Sequence, residues 1–192
     1  MKIAIHQPEH FPYLGYFKKM ENADLFVILD DSQFSKGNWH NRNKFLNKNN
    51  TEEWFTVQLK KFQLGEKINN IYCAQDSRWK NKIIKKLFQN FGFDLSKIYD
   101  NEKLINVNME GILFCRKKLN INTEMIYSSD LNLNPKLVAS KKLAEICSLL
   151  KADTYISGIG GKNYLDQSMF NCEIEYYQPK VKDYYTTLSH IS

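Results

Sequence analysis

The side chains best equipped for chemistry fall into four short clusters. They are His6-Gln7-Pro8, Asp30-Asp31-Ser32-Gln33, Ser128-Ser129-Asp130 and Ser157-Gly158-Ile159-Gly160-Gly161-Lys162. An imidazole such as His6 exchanges protons near neutral pH, so it suits a general base or a donor to phosphate; a strand-closing histidine is the alternative. His6 and His10 are four apart, but Pro8 blocks the helix that would aim both at one metal, so no metal site is expected. Pro8 and Pro12 stiffen the loop, and Gly15 permits close approach near the start of the following helix. Asp30 and Asp31 are neighbours at a strand end and point in opposite directions. One of them faces a site, as a base or a magnesium ligand, or both only form a turn. Arg42, in Asn41-Arg42-Asn43, offers a planar fork for a carboxylate or phosphate, or is a solvated loop residue. The glycine-rich stretch runs through Lys162 into Tyr164 and Asp166. Its backbone amides suit an anion, or it is a tight strand-to-helix turn. It is no P-loop, because the lysine comes too early and no Ser or Thr follows it.

Positioning these groups requires elements that the patterning supplies. Residues 2–5 read as a short apolar strand and 13–20 as a short helix with Leu14, Phe17 and Met20 on one face. Residues 25–29 (LFVIL) form a continuous apolar run, typical of a strand buried on both faces. Residues 32–50 are polar and Asn-rich, which predicts a long loop. Strands are expected at 54–59 and 67–73. Helices are expected at 78–91, with Ile83, Ile84, Leu87, Phe88 and Phe91 inward, and at 104–119. A strand at 123–127 precedes a helix at 136–150, whose start after Asn134-Pro135 resembles an N-cap followed by proline. Strands at 154–156 and 173–177 close the chain. No repeat or linker interrupts it, so 1–192 reads as one domain. Strands alternating with helices predict an α/β fold: a mostly parallel central sheet with helices on both faces, in a Rossmann-like three-layer arrangement. In such sheets ligands sit at the carboxyl ends of the strands, where all four clusters would converge.

Composition narrows the class. The 192 residues suffice for one well-buried domain. The net charge of +6 permits an anionic ligand, but the lysines are spread along the chain instead of forming a nucleic-acid stripe. Cys73, Cys115, Cys147 and Cys172 form no C-x-x-C pair. They read as reduced, mostly buried thiols in a cytoplasmic protein. No apolar run approaches membrane-spanning length, and residues 1–6 read as a strand, not a leader.

The block IHQPEHFPYLGYFKKMENADLFVILDDSQFSKGNWHNRNKF, followed by SSDL, ADTYISGIGGKNYLD and YYQP, resembles the WbqC-like family. Proteins of that family are encoded in bacterial O-antigen and other surface-polysaccharide loci. The likeness covers almost the whole chain, in order. Its pattern falls on His6, Gln7, Pro8, Pro12, Gly15, Tyr16, Asp30, Asp31, Gln33, Phe34, Asn41, Arg42, Ser157, Gly158, Gly160, Gly161, Lys162, Tyr164 and Asp166. His10 stands where the family pattern has Tyr, residues 37–40 vary the loop before Asn41, and the chain stops at Ser192 where relatives continue into an apolar helix.

The resemblance implies a role in lipopolysaccharide precursor synthesis. The expected activity is a transferase moving an acyl or aminoacyl group to the amine of a nucleotide-linked amino sugar. His6, Asp30 or Asp31 would take the proton. Arg42, Lys162 and the glycine-loop amides would hold the diphosphate, and Tyr16 and Tyr164 would stack on base or sugar. The alternative is an ATP-dependent nucleotidyl or adenylyl transferase, because the layout also looks like that of HIGH-type nucleotidyltransferases. Mg2+ would then sit on Asp30 or Asp31; no other cofactor is expected. A non-catalytic assembly partner is the third reading. The expected partner is a nucleotide-linked sugar or another anionic small molecule, and nucleic acid enters only if an aminoacyl-tRNA is the donor. A homodimer is compatible with the sequence.

Overall fold

The computed structural model describes all 192 residues. Its elements, in chain order, are β1 (Lys2–His6), α1 (Leu14–Glu21), β2 (Leu25–Ile28), β3 (Arg42–Leu46), β4 (Glu52–Thr56), α2 (Ser77–Phe91), α3 (Leu104–Lys118), β5 (Glu124–Tyr127), α4 (Ala139–Leu149), β6 (Thr154–Gly158), β7 (Glu173–Tyr177) and α5 (Leu188–Ile191). Contacts gather them into two compact units. The first holds residues 1–7, 15–30 and 121–182; the second holds 8–14, 31–120 and 183–192.

In the first unit, five strands form one sheet in the order β5-β2-β1-β6-β7. Every neighbouring pair is parallel. Alternation along the strands gives the sheet two apolar faces. Ile3, Ile5, Leu25, Val27 and Tyr155 share one face with Leu143, Ile146 and Cys147 of α4. The other face carries Phe26, whose ring lies 5.2 Å from that of Tyr16 on α1. Helices therefore cover both faces, and the sheet is the parallel α/β core that the strand–helix alternation predicts. Each fully buried Ile or Phe contributes about 1.5–3 kcal/mol of transfer free energy. The chain adds β2 and β5 on one side of β1, then β6 and β7 on the other. The order thus reverses between β1 and β6, which is where an open parallel sheet leaves a crevice at its carboxyl ends.

The second unit contains the β3–β4 hairpin and the helices α2, α3 and α5. It corrects several expectations. The polar segment 32–50 is not all loop, because β3 starts at Arg42. Asn43 and Phe45 face inward and alternate with Arg42 and Lys44. The buried Asn43 disguised that period of two; its amide donates to the carbonyls of His10 and Phe11 at 3.2 and 2.7 Å. Residues 67–73 form no strand. Ile68 and Ile71 are buried three apart, a helical spacing, and Ile68–Asn70 is a 3-10 turn. The strand expected at 54–59 lies at 52–56.

The inward face of α2 is Trp79, Ile83 and Leu87, with Phe88 exposed. Asp76 caps its first turn and Gly92 ends it in the left-handed region. In the first unit, α4 begins at Ala139, three residues later than expected. The Asn134 side chain accepts from the Lys136 N–H and makes a local turn in place of a helix cap. All four cysteines are free thiols; only Cys172 is partly exposed. No helix is long and apolar enough to cross a membrane.

His10 is fully buried in the second unit. Its Nδ1 lies 3.2 Å from Asn108 Oδ1, and its Nε2 3.2 Å from the Tyr99 hydroxyl. Asn108 spends both amide hydrogens on the carbonyls of Pro8 and His40, at 3.0 and 2.8 Å. Its oxygen therefore accepts, so His10 carries the proton on Nδ1 and accepts from Tyr99 on Nε2. Burial holds the His10 imidazole neutral, lowering its pKa to about 3.

Candidate functional site

The carboxyl edge of the first unit's sheet is built from strand ends. β1 ends at His6, level with Ile28 of β2. Two residues past the Ala4–Ile156 pair come His6 on one strand and Gly158 on the other. Ile28 pairs with Tyr127, just before Ser128 and Ser129. The carboxyl edge therefore carries His6-Gln7, Asp30, Ser128-Ser129 and Ser157–Lys162 together. Of the four clusters, this unit assembles all but Pro8, Asp31, Ser32 and Gln33.

His6 is half-buried, and its Nδ1 lies 3.1 Å from the Gln7 carbonyl. A carbonyl only accepts, so Nδ1 is the protonated nitrogen and the lone pair of the neutral ring falls on Nε2. The ring packs edge-on to Tyr16 at 4.8 Å. Tyr16 itself is buried against Phe17 and Phe26, so its ring braces His6 and offers no open face for stacking. Gly15 is buried in the first turn of α1.

Asp30 is buried, and its Oδ1 accepts from Ser128 Oγ at 3.2 Å and from the Ser129 N–H at 3.1 Å. The carboxylate thus ties the end of β2 to the turn after β5. Lys19 is also buried, and donates from Nζ to the Ile5 carbonyl at 3.0 Å. It places a cation beneath the end of β1. Nothing in the sequence marks it, because a lysine in the last turn of a short helix is ordinarily solvated.

The glycine segment leaves β6 as a 3-10 turn over Ile159–Asn163. Ser157 is buried and its hydroxyl donates to the Gly158 carbonyl at 3.2 Å. A Cβ on Gly161 would lie 2.2 Å from Ser157 Oγ, so a side chain there would displace the Ser157 hydroxyl. Gly158 and Gly160 have open space where a Cβ would be and are exposed. Lys162 places its ammonium 5.3 Å from the Tyr176 ring centroid. Tyr164 is exposed, and burial of part of its ring pushes its hydroxyl pKa up. Asp166 caps the next turn, accepting from the Ser168 N–H at 3.1 Å and hydroxyl at 2.6 Å.

The remaining candidates belong to the second unit. Asp31 lies 4.0 Å from Lys67 Nζ, and Gln33 bridges to the same residue. The Asn41 amide donates to the Val57 carbonyl at 3.0 Å. Arg42 lies over the Trp54 ring at 4.5 Å and donates to the Gly37 carbonyl. Its guanidinium is packed against protein, unlike the solvated arginine of a free loop.

The sequence profile described as the WbqC-like protein family matches residues 7–190. The chain belongs to that family. The chain is similar to a protein of Mycobacterium tuberculosis (strain ATCC 25618 / H37Rv) described as uncharacterized protein Rv1507c. It is 28% identical to this WbqC-like chain over 186 residues, covering 88% of this chain and 78% of its own length. No solved structure matches the chain.

Proposed function

We propose that this WbqC-like protein is a cytoplasmic enzyme of surface-polysaccharide (O-antigen) precursor synthesis, working as one domain over residues 1–192. Its reaction would be transfer of an acyl or aminoacyl group to the amine of a nucleotide-linked amino sugar. One observation carries the reading: the strand order reverses between β1 and β6, and His6 and the Ser157–Lys162 turn stand at the carboxyl ends of those two strands.

The amine nitrogen forms a new bond to the donor's carbonyl carbon, and the donor's bond to its leaving group breaks. The proton leaving the amine goes to His6 Nε2. Lys162 and the exposed amides of the glycine turn hold the diphosphate. Asp30, engaged by Ser128 and Ser129, fixes the neighbouring strand end.

Thermal denaturation separates the readings. A dTDP-linked amino sugar should raise the melting temperature in a concentration-dependent way, and Mg-ATP should not. Stabilisation by Mg-ATP alone would replace acyl transfer with nucleotidyl transfer, and no response to either would leave an assembly partner.

A further inference from the structure

We infer that the second unit carries its own binding subsite for a single negatively charged sugar ring, with Trp54 as the stacking surface. The subsite begins with the outer face of the β3–β4 hairpin. Lys44 pairs across the strands with Trp54, and Arg42 with Thr56, so all four share that face. Three side chains pack against the Trp54 ring. Arg42 sits 4.5 Å and the Lys44 ammonium 5.4 Å from its centroid, and Trp39 stacks nearly parallel at 5.7 Å and 11°. A ring clamped in this way loses little freedom on binding a ligand. Despite the clamp, Trp54 remains 38% exposed.

Beside it lies a cavity of about 220 Å³, lined by Trp54, Thr56, Gln58, Trp79, Lys82 and Lys86 among others. That is smaller than the roughly 300–1,000 Å³ of sites for drug-sized ligands, and suits one ring. Its polar groups divide into two kinds. Lys86 is committed to Glu53 at 2.8 Å and to the Trp54 carbonyl at 3.0 Å. Trp79 Nε1 donates to the Ala74 carbonyl at 3.0 Å. The Thr56 hydroxyl, the Gln58 amide and the Lys82 ammonium have no partner within the protein. An aromatic surface, a neutral donor–acceptor pair and an uncompensated cation are what a sugar with an anionic substituent needs. The apolar face of the sugar stacks on the part of the Trp54 indole that stays exposed, its hydroxyls meet Thr56 and Gln58, and its charge meets Lys82. The anion is a phosphate or a carboxylate.

All three tryptophans of the chain, Trp39, Trp54 and Trp79, belong to this cluster. Their three indole N–H signals in a nitrogen–proton correlation spectrum therefore report on it directly. Titration with glucose 6-phosphate and with glucuronate distinguishes the two anions; glucose and AMP are the controls. The expected result is a saturable shift of the Trp54 and Trp79 signals with at least one acidic sugar, and binding of glucose at least about tenfold weaker. Trp54→Ala, followed through Trp79, should abolish binding. Lys82→Gln, an exposed helix position, should weaken it by about tenfold with the fold unchanged. No saturable shift with either acidic sugar overturns the proposal. So does undiminished binding in both variants, or AMP binding as tightly as the sugars through Trp54.

Discussion

Replacing His6 with alanine should lower kcat/KM for the proposed acyl transfer by roughly 10²- to 10⁴-fold, the usual loss when a general base is removed. The reason is geometric. The Gln7 carbonyl takes the Nδ1 proton and leaves the basic lone pair on Nε2, at the carboxyl end of β1. The fold should survive, because the half-buried imidazole loses an edge contact with Tyr16, worth about 1 kcal/mol, and a bond to the adjacent Gln7 carbonyl, which water can then reach. The acid limb of the pH–rate profile should vanish with the side chain, which a merely structural histidine would not cause. Wild-type turnover in a folded His6→Ala protein would remove His6 from the mechanism.

The largest effect on stability should come from Asn108→Ala. Asn108 is fully buried and satisfies three groups at once: the carbonyls of Pro8 and His40, and the Nδ1–H of His10. Truncation leaves all three without partners in a dry interior, at a cost of about 3 kcal/mol. A urea midpoint that falls with unchanged slope is the expected signature; a loss below about 0.5 kcal/mol would mean water replaces the amide.

The same denaturation series in acid tests the histidines around Asn108. Burial lowers His10 from its usual 6.5 to about 3 and His40 to about 4. Below pH 6.5 the unfolded chain binds protons that the folded chain refuses. Stability is therefore fully present above pH 6.5 and falls as the pH drops toward 3 to 4. The slope is at most about 1.4 kcal/mol per pH unit for each histidine.

The sheet was legible because its strands are short apolar runs bounded by Asp, Ser and Gly, and LFVIL marks a strand covered on both sides. The rim was legible for the same reason, since polar residues at strand ends stand out against such runs. Strand order was not legible. It depends on which strands pair across long loops, so the reversal between β1 and β6 is visible only in three dimensions. β3 was hidden by Asn43, an inward polar residue whose partners, His10 and Phe11, lie more than thirty positions earlier. Tyr16 misled because an aromatic near a loop can be core or contact surface, and composition does not distinguish them. His10 and Lys19 were hard to place because burial of a titratable group depends on partners remote in sequence: Asn108 and Tyr99 for the first, the Ile5 carbonyl for the second.

The most direct test is a crystal structure of the protein soaked with a dTDP-linked amino sugar. The diphosphate should lie against the Gly158–Lys162 turn, with the sugar amine about 3 Å from His6 Nε2. Density for the nucleotide at the amino-terminal edge of the sheet, by Lys2 and Thr154, would contradict that placement.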